Sequence, residues 1–573
     1  MPTGKHEKTE YEKLRGFYRD ACPRHVVTFE ASMTEDQKRH TFAYANDLRM
    51  LGNAAAAELN RRMKQLFRTK AYRKLQKDYG WHSEHMKSLD PESPRYQELA
   101  EERKSIASAM VKMQKAYRIT FSDVRALTEA KAADYCVGSI FALTRGEDIW
   151  SACEKILYDN GKHLHFRKRG DLPVIRAKQA NRGITVNLDE DGNMLFFLDG
   201  VGEFYADVPE KDKFLVDEYN ALAQYLTDPE VEERAVWYKK ETGELIPVFR
   251  PCYVSLKCEE IRGRLRVYIQ ITIAAQPMQK TRADGTPRHD FSKTGRVGCD
   301  NGSQSFAVVS QDAVLLQNTA ERGDKSTKAH EHLIRRRQKK MSQSRQKTNP
   351  ERFNQDGTYK KGSRGKWIKS KHYRRLQYLV KEQQRRDAKS RAYAVREDAN
   401  RIRELGSELA IEPSNAKALQ RRSKKAPEKS SSTIEVKKKD GTVKTIHKNK
   451  RKKRFGRSLL HRCPGAFQAE LKKKFGDGYH EVSMKFRASQ YDHVIDSYIK
   501  KKLSERWHNL PDGKKVQRDV YSAFLMYCSN SDYSAPDREA CIKEFDRFYA
   551  MHEAMVNEII QKHLNVCNSG IAV

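Results

Sequence analysis

Three acids fall at the borders of apolar runs. Asp300 closes Val297-Gly298-Cys299 and Glu412 closes Leu409-Ala410-Ile411. Asp519 opens a segment whose Val520, Ala523, Phe524 and Tyr527 recur at helical spacing. A carboxylate at a strand end is costly to desolvate unless a cation compensates it. Mg²⁺ is the natural compensator, because it prefers carboxylate oxygens and keeps waters and substrate phosphates as its other ligands. Three such carboxylates can hold two ions about 3.5–4 Å apart, the arrangement that hydrolyses phosphodiesters in line. Mn²⁺ would serve in the same place. Taken singly, each acid reads more readily as a turn residue or a surface ion pair. Composition and periodicity do not single the three out.

The elements that must position these acids can be sketched from the pattern. Arg296–Ser310 and then Asp312–Gln317 read as three consecutive strands with a tight turn at Asn301-Gly302. A long basic helical segment follows, with Tyr373, Leu376, Val380, Ala388, Ala392, Val395, Ala399 and Ile402 as its apolar stripe. Residues 408–414 form another short apolar strand. Upstream, residues 24–30 alternate like a strand, and Thr34 opens a long helical stretch in which Ile106, Met110, Met113 and Tyr117 keep helical spacing. From about 150 to 293 the texture turns to short β-like runs broken by Gly and Asp-Gly turns, at 164–170, 183–188, 193–200, 253–258 and 265–274. This block reads as a β-barrel or open sheet. Pairing of the 24–30 strand with it would make the helical lobe an insertion.

A chain of 573 residues implies three or four domains. Lys and Arg number 111 against 76 Asp and Glu, a formal charge of +35. Residues 331–400 hold 22 basic and 7 acidic side chains, and residues 421–460 hold 16 and 3. The excess is therefore concentrated, as expected of a surface that meets phosphate backbones. The bland reading of 421–454, with Ser430-Ser431-Ser432 and Lys437-Lys438-Lys439, is a mobile loop, and residues 448–454 would also pass as a nuclear localisation signal. No lipidation motif and no long apolar run favours a membrane partner. The polar stretch Met1–Glu10 and ten scattered Cys without a CxxC pair suit a reduced, cytoplasmic setting.

VGCDNGSQSFAVVS resembles the first RuvC motif of the TnpB family, the transposon-encoded relatives of type V CRISPR effectors, with Gly298, Asp300 and Gly302 filling its G-x-D-x-G pattern. LAIEPSNAKAL resembles the second motif, and QRDVYSAFL the third, where Arg518, Asp519 and Ala523 match. Looser likenesses extend to VTFEASMTEDQ, to LHFRKRG, to the basic hairpin at 334–379 and to 464–486. The resemblance implies a multidomain α+β protein with an RNase H-like (RuvC) α/β nuclease domain, a β-barrel wedge domain and a helical recognition lobe. It divides the chain into wedge at 1–34, helical lobe at 35–149, wedge again at 150–293, and RuvC with the basic helices at 294–420. A basic insert at 421–460, RuvC at 461–487, a degenerate zinc-ribbon-like target-binding module at 488–516 and RuvC with C-terminal helices at 517–573 complete it.

The implied activity is Mg²⁺-dependent, RNA-guided cleavage of DNA, with Asp300, Glu412 and Asp519 as both metal ligands and catalytic acids. The implied partners are a guide RNA and a double-stranded DNA target in a prokaryotic cytoplasm; oligomeric state stays open. Candidate phosphate contacts are Arg167, Lys168, Arg169, Arg176 and Lys178 in the wedge, and Arg374, Arg375, Arg385 and Arg386 on the long helix. Each reads equally as an ordinary exposed charge. Two other readings stay open: a catalytically silent RNA-guided repressor, and a guide-independent RNase H-fold nuclease. The three retained acids weigh against the first and the 290 or so preceding residues against the second.

One departure from the family is plain. Its zinc ribbon between the second and third motifs uses paired Cys, whereas no Cys occurs from 464 to 527. His493 and His508 alone cannot make a tetrahedral site, and they read as surface or packing residues, so no zinc is expected. Tyr491, Val494, Ile495, Tyr498, Ile499 and Leu503 recur at spacings of three and four, followed by Trp507. That spacing predicts a helix packed on the nuclease domain.

Overall fold

The computed structural model describes residues 24–572 apart from 87–88, 91, 160, 179–181, 228–235, 240–244, 249, 275–279, 283, 356, 361–364, 414–428, 438–442, 450–455, 484, 501 and 503. The chain divides into two compact units, Met1–Thr281 and Arg282–Val573.

In the first unit, β1 (Arg24–Ser32) leads into α1 (Glu35–Leu66), α2 (Lys70–Met86), α3 (Pro94–Ala116), α4 (Phe121–Ala130) and α5 (Ser139–Leu157). The chain returns through β2 (Ile175–Arg176), β3 (Ile184–Leu188), β4 (Met194–Leu198), β5 (Gly202–Asp207) and α6 (Lys213–Thr227). A short ribbon of β6 (Val236–Lys239) and β7 (Leu245–Val248) precedes the long hairpin of β8 (Arg250–Ile261) and β9 (Arg264–Ala274). Seven strands form one curled sheet in the order β2-β8-β9-β1-β5-β4-β3. β1 lies antiparallel between β9 and β5, with Phe29 opposite Ile269 and Glu30 opposite Asp207, so the five helices α1–α5 are inserted after the sheet's first strand.

The insertion starts with a capping box, Thr34 and Gln37 each bonding the other's backbone N–H. α1 then serves two cores. Ala45, Leu48 and Leu51 pack with the sheet, while Ala55, Ala56, Leu59, Met63 and Leu66, further along the same helical stripe, pack with the helices. Residues 164–170 are not the β run their alternation suggests. Asn60 exchanges two hydrogen bonds with the backbone of Leu164, and Asn53, two helical turns earlier, does the same with Arg167. The segment is held by side chains of α1 in place of a strand neighbour.

The second unit contains β10 (Arg296–Asn301), β11 (Ser305–Val309), β12 (Val314–Asn318), α7 (Glu321–Thr348), α8 (Lys371–Arg403), β13 (Glu408–Ile411), and a ribbon of β14 (Lys429–Lys437) and β15 (Val443–Asn449). After these come α9 (Gly456–Arg462), α10 (Pro464–Phe475), β16 (Tyr479–Glu481), β17 (Tyr491–Asp492), β18 (Ser497–Tyr498), β19 (Trp507–Asn509), β20 (Lys515–Gln517), α11 (Arg518–Tyr527) and α12 (Arg538–Gln561). The central sheet has the order β12-β11-β10-β13-β16; β10 to β12 are antiparallel neighbours, whereas β13 and β16 join in parallel.

Strand alternation sorts its residues onto two faces. Val297, Cys299, Leu409 and Ile411 meet α8 and α10 through Val395, Ala399, Ile402, Phe467 and Leu471. Ala307, Val309 and Ala410 face α11 and α12 through Ala523, Phe524 and Phe548.

Three further expectations change. On α8, Ala388 and Ala392 are exposed, and the buried position between them and Val380 is filled by Asp387, which pairs with His330 Nδ1 of α7 at 2.9 Å. Within the basic stretch 421–460, Lys429–Lys437 and Val443–Asn449 form an antiparallel ribbon, with Ile434 opposite Ile446, where a mobile loop was expected; residues 421–428, 438–442 and 450–455, and so most of the basic run 448–454, lie outside the described residues.

The 488–516 stretch is two hairpins, β17–β18 and β19–β20, and contains no helix among its described residues. Val494, Ile495, Tyr498 and Ile499, the proposed buried stripe, are 38–46% exposed, and Leu503 lies outside the described residues. The spacing of three and four belongs to a hairpin turn here: Asp496 adopts a left-handed backbone (φ 51°) and accepts the Tyr491 hydroxyl at 2.8 Å.

Candidate active site

The sheet register brings two of the acids together. β10 and β13 run parallel with Cys299 opposite Ile411, so Asp300 and Glu412 leave neighbouring strands side by side at the same sheet end. Gly298 and Ala410, two residues earlier on each strand, fix the face to which both acids point. That face is covered by α11.

The third acid arrives through a close helix–strand contact. A Cβ on Gly298 would stand 2.0 Å from the Ala523 carbonyl oxygen and 2.4 Å from the Tyr527 nitrogen, so α11 rests its backbone on this glycine. Asp519 lies one turn before Ala523, about 6 Å along the helix. Asp300 lies two residues after Gly298, about 6.7 Å along the strand. The two displacements match, and Asp519 is carried over the Asp300–Glu412 edge.

The electrostatics record this convergence. Burial, then the charges of Asp519 and Glu412, push the Asp300 carboxyl well above its ordinary range, with Arg518 opposing. Glu412 is open to solvent over much of its surface, but its carboxyl is crowded by protein; desolvation and then Asp519 push it up as well. Asp519 is held by its neighbour: Arg518 donates to Oδ1 from Nη2 at 3.0 Å and from Nε at 3.2 Å.

Among the described residues no group of three or more His, Cys, Asp or Glu side chains is disposed as a ready metal cage. The donor set itself suits a hard divalent cation, being three carboxylates whose mutual repulsion such an ion would relieve.

The nine basic candidates divide by their partners. Arg176 pairs with Asp148, Lys178 with Glu147 at 2.8 Å and Arg167 with Asp171 at 3.3 Å, so these three are engaged within the protein. Arg385 and Arg386 share Glu382, each donating from Nε at 2.9 Å. Lys168, Arg169, Arg374 and Arg375 are exposed and have no carboxylate partner among the described residues. They present uncompensated charge.

Sequence reasoning missed a polar cluster on the two hairpins. Asp492, His493 and His508 are buried, and His508 Nε2 lies 3.0 Å from Asp492 Oδ2. The signal was available: Asp492 and His493 are adjacent polar residues within the stretch read as an apolar stripe, and His508 follows in the same short module. A second buried cluster ties α9 to α7, with Asp324 accepting from Arg462 Nη2 at 2.8 Å and lying 3.1 Å from His461 Nδ1.

No protein-family model matches the chain, and no curated protein matches it. Among solved structures it is similar to Cas12f1 in a cryo-EM complex with sgRNA and target DNA, at 9% identity and a TM-score of 0.38, over 88% of this chain and 98% of that one. It is also similar to Cas12i in a cryo-EM complex with crRNA and dsDNA, at 9% identity and a TM-score of 0.23, over 92% of this chain and 65% of that one. Neither similarity assigns the chain to a family.

Proposed function

We propose that the chain is an RNA-guided DNA endonuclease whose second unit carries a single RuvC-type, RNase H-like site formed by Asp300, Glu412 and Asp519. The observation that carries this reading is the convergence of the three acids. Two leave adjacent parallel strands at one edge, and the third is laid over them by the α11 contact at Gly298. Grouping like charges costs stability unless a cation is to be bound there.

Two Mg²⁺ ions, when bound, would supply an activated water and stabilise the leaving 3′ oxygen of a phosphodiester. The chain's own contribution is placement. Asp300 and Glu412 are fixed by the sheet, Asp519 by the helix, and Arg518 keeps the Asp519 carboxylate oriented while offsetting part of the local negative charge. Arg374 and Arg375, on α8, and Lys168 and Arg169, in the first unit, are the candidates for holding nucleic-acid phosphates, being exposed cations without carboxylate partners among the described residues.

The guided part of the reading is supported by the charge of +35 and by the three sequence motifs. Its test is the RNA that copurifies with the protein. A discrete species with a constant scaffold and a variable guide segment is expected, and its sequence identifies the DNA to be cut. Absence of any bound RNA would favour a guide-independent nuclease.

A further inference from the structure

Beside the acids, the second unit buries a separate polar assembly that the proposed chemistry does not use. Asp492 and His508, 2% and 1% exposed, sit on different hairpins, and Tyr521, also 1% exposed, faces them from α11. His508 Nε2 lies 3.0 Å from Asp492 Oδ2, and Asp492 Oδ1 accepts the Val494 N–H at 3.0 Å. The Tyr521 hydroxyl accepts the His493 N–H at 3.2 Å, which leaves its own proton for His493 Nδ1 at 2.6 Å. The His508 ring stacks on Tyr521 with centroids 4.5 Å apart, and His493 packs on Phe545 of α12 at 4.7 Å. From the head of α12, Arg538 donates to the carbonyls of His493 and Val494 at 3.0 and 3.1 Å.

Two short hairpins cannot build a sufficient core of their own: Tyr491, Leu510 and Val516 are buried in the core shared with α11 and α12, while Val494, Ile495, Tyr498 and Ile499 stay exposed. A bound metal is one common staple for such a module. Here a buried carboxylate–imidazole pair joins one hairpin to the other, and a tyrosine joins both to a helix.

That helix is the one bearing Asp519, and the second hairpin enters it without a linker. Gln517 ends β20 and caps α11, its side chain accepting the Val520 N–H at 2.9 Å. The Arg518 N–H donates to the Arg506 carbonyl at 2.9 Å, and Nη1 of its guanidinium donates to the Glu505 carbonyl at 3.1 Å. The same guanidinium grips Asp519. The start of the second hairpin therefore holds the residue that orients the acid.

We propose that Asp492, His508 and Tyr521 are positioning residues: a buried polar clamp that folds the two hairpins without a metal and sets how α11 delivers Asp519. The clamp rests on the nuclease reading only for what Asp519 does once delivered.

Tyr521→Phe tests it with least disturbance, since the ring and its stacking stay while the hydroxyl goes. Amide hydrogen exchange over 518–527 in the full chain is expected to speed up at least tenfold at the first turn of α11. Mn²⁺ affinity, followed by the paramagnetic signal of the free ion, is expected to fall about fivefold, with the melting temperature little changed. Asp492→Ala should reproduce both effects, and Asp492→Asn, which keeps an acceptor for His508, should restore them in part.

Unchanged exchange and unchanged Mn²⁺ affinity in Tyr521→Phe would overturn the clamp, and that variant decides the matter if Asp492→Ala does not fold. If the parent protein takes up no Mn²⁺, the nuclease reading fails while the exchange measurement still judges the clamp. One equivalent of tightly held zinc per chain would also overturn it, because the hairpins would then be stapled by metal.

Discussion

Gly298→Ala is the most demanding perturbation of the site, because the change is one methyl group and the conflict is with backbone. The new Cβ would lie 2.0 Å from the Ala523 oxygen, 2.4 Å from the Tyr527 nitrogen and 3.0 Å from the Tyr527 Cα. No rotamer can relieve this, so α11 must lift from β10 by about 1 Å or more to regain van der Waals contact, and Asp519 moves with it. A misplacement of that size costs on the order of 10²-fold in rate, and overpacking of a core costs about 1–3 kcal/mol. Single-turnover cleavage of a guide-matched duplex is therefore expected to slow about a hundredfold in Mg²⁺, with a lower melting temperature and target binding retained. Gly80→Ala is the control: its Cβ would meet nothing within 4 Å on an α2 position, and replacing a helical glycine by alanine stabilises by about 1 kcal/mol or less. Parental cutting and melting by Gly298→Ala would refute the helix-on-strand account of the site.

Acid should loosen the same region through His552. Burial pushes its imidazole down to about 4, and its Nε2 accepts the Gln517 N–H at 3.0 Å just before α11. The unfolded chain binds this proton near pH 6.5 and the folded chain does not, so the stability is fully present above 6.5 and is lost as pH falls towards 4. The loss amounts to about 3 kcal/mol, and urea unfolding across that window should show it, with a flatter profile in His552→Gln. For the nucleic-acid surface, Arg374→Glu with Arg375→Glu should lower the slope of log affinity against log salt by about one unit per lost phosphate contact. Arg385→Glu with Arg386→Glu should do less, because Glu382 already occupies both guanidinium groups; equal effects would mean that neither pair is selectively placed on the phosphate path.

The strands at 296–301 and 408–411 were legible in the sequence because apolar runs broken by a charged residue and a turn report their own ends. Their pairing was not, since parallel neighbours separated by about a hundred residues leave no local signal. Asp519 was legible as the start of a helix, but the reason Gly298 must be glycine is tertiary: only the folded chain brings Ala523 and Tyr527 onto it. Alternation misled at 164–170, where the backbone partners are Asn53 and Asn60 rather than a strand. Periodicity misled at 494–499, where Val494, Ile495, Tyr498 and Ile499 belong to a hairpin turn and lie open to solvent, while Tyr491 of the same stripe is buried. The stripe on α8 was misread at Ala388 and Ala392 for a related reason: a buried Asp387 compensated by His330 is invisible to a hydrophobicity pattern. Buried carboxylates paired with basic side chains recur among the described residues of the second unit: Asp324 with His461 and Arg462, Asp387 with His330, and Asp492 with His508.

The most direct measurement of the central claim is Mg²⁺-dependent cleavage of the duplex specified by the copurified RNA, compared between the parent chain and Asp300→Ala, with RNA and target binding followed in parallel. Asp300 is the acid on which the other two bear, both raising it by their charge. The variant is expected to bind RNA and target as the parent does and to cut neither strand above background, and the parent is expected to stop cutting when Mg²⁺ is chelated. Full Mg²⁺-dependent cleavage by Asp300→Ala would contradict the claim.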